Sequence, residues 1–87
     1  MPELLISPND LHHAAEEFSK AHKETQALIK RLDGTTSALE DKWSGTSQQM
    51  FYKYYEEWVQ HIEGFNHLLS IIADEMHAMA ERYERID

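Results

Sequence analysis

The 87-residue chain is long enough for one domain, has no cysteine, and sets 16 acidic against 8 basic residues for a formal net charge of −8. A disulfide-stapled fold is excluded, and nucleic-acid or anionic-membrane binding is disfavoured, because both need a basic surface. A domain this small buries a modest share of its surface, so it needs a partner chain or a metal to be stable. Met1-Pro2-Glu3-Leu4-Leu5-Ile6 has no basic residue and only three consecutive apolar ones, unlike a secretory signal peptide. No apolar run approaches the ~18 residues of a membrane span. The default location is the cytosol, unless export reads a folded feature.

The first helical pattern starts at Ser7-Pro8-Asn9-Asp10. Ser7 suits the cap, Pro8 the first helical position, and Asp10 stands three residues after the cap. Leu11, Phe18, Leu32 and Leu39 then recur on a seven-residue period, with Thr25 as the polar exception. Ala15, His22, Ile29, Thr36 and Trp43 form a parallel row, and the two rows make one helix face. Gly34-Thr35-Thr36 weakens the helix without ending it, since Leu39 and Trp43 resume in register. The break is expected at residues 44–46, where Gly45 closes the first helix in a left-handed conformation and Thr46 or Ser47 caps the next.

The second pattern is stronger. Phe51, Trp58, Phe65, Ile72, Met79 and Ile86 are each seven apart, flanked by Tyr55, Ile62, Leu69, Met76 and Tyr83. The expected fold is all-α: one antiparallel hairpin over residues 1–87, with helices over about 8–43 and 47–86. The second stripe is too wide for one neighbour to cover. Left open it would be an apolar patch unusual for a soluble monomer, so two hairpins are expected to dimerise into a four-helix bundle. The shared hairpin and dimer core is expected to include Leu11, Phe18, Ile29, Leu32, Leu39, Phe51, Trp58, Phe65, Leu69, Ile72 and Met79. A homodimer is the default by symmetry, with a paralogue as the other choice. Gly64, beside Phe65, is a place where another helix can approach closely.

The sequence argues against catalysis. Helical zinc sites favour histidines four apart, and none of His12, His13, His22, His61, His67 and His77 has that spacing. Asp74 and His77, or His13 and Glu16, are close enough along a helix to touch, but neither pair makes a site. Glu16-Glu17, Glu40-Asp41 and Glu56-Glu57 read as a solvated face, because a thin hairpin offers no pocket for a catalytic pair. Within Phe51-Tyr52-Lys53-Tyr54-Tyr55, alternate residues are expected in the core and Tyr52 at the rim. No enzyme activity, metal or cofactor is expected.

Two features exceed what a hairpin needs. A turn needs Gly45 but not the large Trp43 before it. Tyr83 and Asp87 stand four apart on the last turn, where the helix dipole opposes an acidic residue. Trp43-Ser44-Gly45 at mid-chain, the entry Ile6-Ser7-Pro8-Asn9-Asp10-Leu11, and Tyr83 with Asp87 resemble the WXG100 family, the ESAT-6-like proteins exported by type VII secretion systems. The resemblance spans nearly the whole chain. It implies a four-helix bundle of two hairpins, exported folded without a cleaved signal peptide after a cytoplasmic stage. Tyr83 and Asp87 would match the family's Y-x-x-x-D/E export signal, read by machinery driven by a membrane ATPase. Trp43 and Gly45 of the other protomer would complete a composite site. Family members commonly continue past this motif, whereas this sequence stops at Asp87. An escort role for a larger effector is a further implication. The competing readings are a cytosolic helical adaptor and a membrane-active protein triggered by histidine protonation without stable insertion.

Overall fold

A computed structural model describes residues 5–86. Two α-helices, α1 (Pro8–Ser37) and α2 (Thr46–Ile86), are joined by a single 3-10 turn, Glu40–Lys42, and the tripeptide Trp43-Ser44-Gly45. The described residues contain no strand.

The start of α1 follows the sequence. Ser7 is extended at φ −102° and ψ 162°, and its Oγ accepts the Asp10 N–H at 3.1 Å. The Asp10 carboxylate accepts the Ser7 N–H at 3.0 Å, closing a reciprocal cap. The backbone N–H of Ser7 and then its side chain hold the Asp10 carboxyl below its ordinary value.

The end of α1 departs from expectation: the helix stops at Ser37, not near residue 43. Gly34 adds backbone freedom, and the hydroxyls of Thr35 and Thr36 donate back to the carbonyls of Arg31 and Asp33. Tighter turns follow, with Leu39 N–H donating to the Thr36 carbonyl and Lys42 N–H to the Leu39 carbonyl. Leu39 and Trp43 therefore fit the seven-residue period without lying on the helix, and Leu39 is exposed.

Four side-chain hydrogen bonds cross between the helices and fix their register. They join His12 to His77, His22 to Asn66, Asp33 to Tyr55 and Thr36 to Tyr52. As α1 advances its partner on α2 recedes, so the helices are antiparallel neighbours. The body measures 64 × 22 × 16 Å, with a radius of gyration of 19.6 Å. A compact domain of this length would have a radius near 12 Å, so the molecule is a rod.

The interior of the rod is narrow. Its buried apolar residues are Leu11 and Ala15 on α1 and Leu69, Ala73 and Ala80 on α2. Alanine on the contact line lets the helix axes approach, while larger side chains flank it. Of the expected core, Leu11 and Leu69 are buried within the single hairpin. Phe18, Ile29, Leu32, Phe51, Trp58 and Met79 are half-buried. Leu39, Phe65 and Ile72 are exposed, outside the hairpin interior.

Candidate functional site

Three features merit a functional reading: the turn, the opposite end of the rod, and one open face of α2. At the turn, Trp43 has extended backbone (φ −136°, ψ 135°) and Gly45 takes φ 95°. That left-handed angle favours glycine. Its role differs from the sequence expectation. Gly45 does not close α1; its carbonyl accepts the Gln49 N–H at 3.2 Å, so it occupies the N-cap of α2. Thr46 and Ser47 lie inside the helix instead of capping it.

Ser47 has a different task. Its Oγ accepts the Trp43 indole N–H at 3.1 Å. The half-buried indole also packs 5.1 Å from the Phe51 ring, centroid to centroid, and 6.5 Å from Tyr52. Phe51 stacks on Tyr55, and Tyr55 on Trp58, so aromatic packing runs from the turn into α2. Tyr52, expected at the rim, reaches back and donates to the Thr36 carbonyl at 2.6 Å. Tyr55 donates to the Asp33 carboxylate. Burial raises both tyrosine pKa values above the ordinary 10.0, assisted by Glu40 at Tyr52 and by the Asp33 bond at Tyr55. Both phenols are neutral donors, and their bonds tie the first turns of α2 to the end of α1.

At the far end, Tyr83 is half-buried on the last turns of α2. Asp87, the other half of the expected signal, lies outside the described residues. The 37 residue steps from the cap-proximal Thr46 to Tyr83 span about 55 Å of helix at 1.5 Å each. The structure does not bring Trp43 and Gly45 together with Tyr83 in one chain.

The open face of α2 joins these ends. Met50, Tyr54, Phe65, Leu68, Ile71 and Ile72 are all exposed. At ~100° per residue, five of them, all but Ile71, fall within about 60° of arc, an apolar stripe beside the hairpin seam that the exposed His61 interrupts between Tyr54 and Phe65. Next to it, Phe18 and Ala21 of α1 and Leu69 of α2 line a shallow groove of about 180 Å³ with Glu17 at its edge. A methyl group added at Gly64 would meet no atom within 4 Å, so the stripe is also open to close approach there. The accessible surface is 6955 Å². A compact monomer of 10.2 kDa exposes roughly 5,300 Å². The excess, roughly 1,650 Å², is about twice the ~800 Å² that each partner normally buries in a stable interface.

Residues 3–87 match the family described as WXG100, proteins of 100 residues with WXG. The chain belongs to the WXG100 family. Its Trp43-Ser44-Gly45 corner is the W-x-G that the family is described by. Among solved structures, the secreted protein EsxB of Bacillus anthracis superposes with a TM-score of 0.88 at 29% identity, over 100% of this chain and 99% of that one. EsxA of Geobacillus thermodenitrificans gives a TM-score of 0.84 at 27% identity, over 94% and 90% of the two chains. An uncharacterised protein of Clostridium acetobutylicum is 20% identical over 81 residues, 93% of this chain and 84% of that protein. No helix among the described residues is long and apolar enough to cross a membrane.

Proposed function

We propose that this WXG100 protein is a type VII secretion substrate, exported as a folded dimer of two hairpins, that acts by association and not by catalysis. The observation that carries the reading is the uncovered apolar stripe of α2, which runs from the W-x-G corner towards Tyr83. A second copy laid antiparallel along that stripe completes a four-helix bundle and buries Phe65, Leu68 and Ile72. The same arrangement sets Trp43 and Gly45 of one protomer beside Tyr83 and Asp87 of the other. The composite surface is read by the secretion ATPase. Its Trp43 corner and Tyr83 are set by the folded hairpin, so binding avoids the ordering cost of an unstructured tag. That EsxB of B. anthracis is a secreted protein of the same fold supports export. A paralogue with a matching stripe is an equivalent partner, and a larger effector carrying one is the cargo in an escort role.

The test follows the protein in cells and medium of its own host, with and without the type VII ATPase. Tyr83→Ala and Asp87→Ala variants are run alongside. The expected result is ATPase-dependent appearance of the wild type in the medium, with both folded variants retained in the cells. Retention of every form despite a working secretion system overturns the reading in favour of a cytosolic helical adaptor.

A further inference from the structure

The outermost of the four cross-helix bonds has a property the others lack. His12, in the first turns of α1, and His77, near the end of α2, face each other with their Nδ1 atoms 2.7 Å apart. Their ring centroids are 5.0 Å apart and the planes are tilted by 40°. Both residues are half-buried. Two nitrogens this close need one hydrogen between them, one ring donating and the other accepting.

We infer that His12 and His77 form a proton-operated latch that holds the open end of the hairpin and releases it in acid. With both rings neutral, one Nδ1–H donates to the other Nδ1. One added proton strengthens the bond, because the donor is then a cation. The Glu84 carboxylate, 3.4 Å from His12 Nε2, takes the second N–H of an imidazolium at His12. A second added proton leaves a hydrogen on each Nδ1 and no acceptor. The bond cannot persist, and two like charges face each other.

The surrounding charges make release a change of partner. Glu16 stands one turn from His12 on α1, and Asp74 and Glu81 stand one turn to either side of His77 on α2; all three are exposed. Separated imidazoliums therefore find carboxylates on their own helices. The other ionisable neighbours, His13 and Arg82, point further round their helices, and Asp10 is engaged by Ser7. Beyond His77, α2 runs nine residues to Ile86 and carries the buried Ala80 and the half-buried Met79 and Tyr83. Opening the latch removes this segment's polar tie to α1 and loosens it, with the small Ala80 its remaining buried residue, while the interior around Leu69 stays packed. The device is a property of the hairpin and stands whether or not the chain is exported.

Amide hydrogen exchange on the purified chain tests it as a pH series from about 7.5 down to about 4.5, far enough into acid for both rings to carry a second proton. Rates are corrected for intrinsic pH dependence. In the wild type, protection over residues 78–86 is expected to fall at least ~tenfold in acid relative to residues 65–72. In His77→Phe and in His12→Phe the relative change shrinks below ~twofold, and either variant serves where the other folds poorly. His61→Gln keeps the wild-type response. A nitrogen–nitrogen coupling between the two Nδ1 atoms is expected by NMR at neutral pH. Equal pH responses in wild type and both phenylalanine variants, or no such coupling, overturn the inference.

Discussion

Phe65 is 54% exposed on α2, so Phe65→Ala removes open side-chain surface that only the proposed dimer covers. A phenylalanine offers ~200 Å², and roughly half of that is open here. At ~25 cal/mol per Å² the lost burial is about 2.5 kcal/mol per copy. A two-fold dimer loses it twice, about 5 kcal/mol, or more than 1,000-fold in the dissociation constant. Alanine keeps the β-carbon and the interface relaxes, so a weakening of at least ~100-fold is the working expectation. The hairpin itself loses the covered half of the ring, up to about 2.5 kcal/mol by the same arithmetic, partly offset because alanine is the better helix former, while Leu69, Ala73 and Ala80 are untouched. Sedimentation equilibrium across a concentration series measures association, and circular dichroism on the same samples measures helix content. A dissociation constant within ~threefold of wild type refutes the argument, since a 1.4 kcal/mol change is already tenfold. So does a loss of helix that matches the loss of dimer, because Phe65 would then be part of the hairpin's own core.

The other predictions concern the turn and the cap. Gly45→Ala is expected to cost about 1–2 kcal/mol in chemical denaturation through backbone strain alone, since an added β-carbon meets nothing within 4 Å. Gly45→Asn costs less, because asparagine tolerates positive φ. Trp43→Ala loses the Phe51 and Tyr52 contacts and the Ser47 bond, yet should reduce export more than it reduces thermal stability. Medium-to-cell ratios set against melting temperatures across Trp43→Ala and Trp43→Phe check this, and export losses fully tracked by stability contradict it. The depressed Asp10 value makes the cap pH-sensitive in one direction. Its contribution is complete above the ordinary carboxylate value of 3.8 and is lost as pH falls through the lower folded value. Ser7→Ala should cost about 1 kcal/mol at neutral pH. In Asp10→Asn, exchange protection of the first turn should no longer change across that acid range.

The parts legible in the sequence are those decided by neighbours in the chain. Ser7, Pro8 and Asp10 specify the start of α1 through local hydrogen bonds, and Gly45 specifies a left-handed residue through its missing β-carbon. The end of α1 misled because heptad counting measures spacing and not backbone state: Leu39 and Trp43 sit at the right intervals after the helix has ended. The hairpin interior was harder still. Bulky residues attract attention in a sequence, but a two-helix seam buries whatever lies on the contact line, here Ala15, Ala73 and Ala80. Phe65 and Ile72 fall just round the helix from that line. The His12–His77 pair, 65 residues apart, is invisible to any rule about spacing within one helix, because it depends on the register between two.

That register also limits how an export receptor reads the chain on the proposed function. An interface of ~800 Å² per side is roughly 30 Å across. The Trp43 corner and Tyr83 stand about 55 Å apart along a stiff helix, so one such receptor surface cannot touch both within a single hairpin. Two antiparallel copies remove the difficulty, because each W-x-G corner then meets the other copy's Tyr83. Export on this scheme requires assembly first, which makes Phe65→Ala a second kind of probe. It leaves every signal residue intact and should still abolish export at concentrations where the variant is monomeric. Raising its expression until dimer forms should restore export, whereas Tyr83→Ala should not be rescued that way. Export of monomeric Phe65→Ala at the wild-type level would show that the signal is read on one chain and would remove the reason for a composite site.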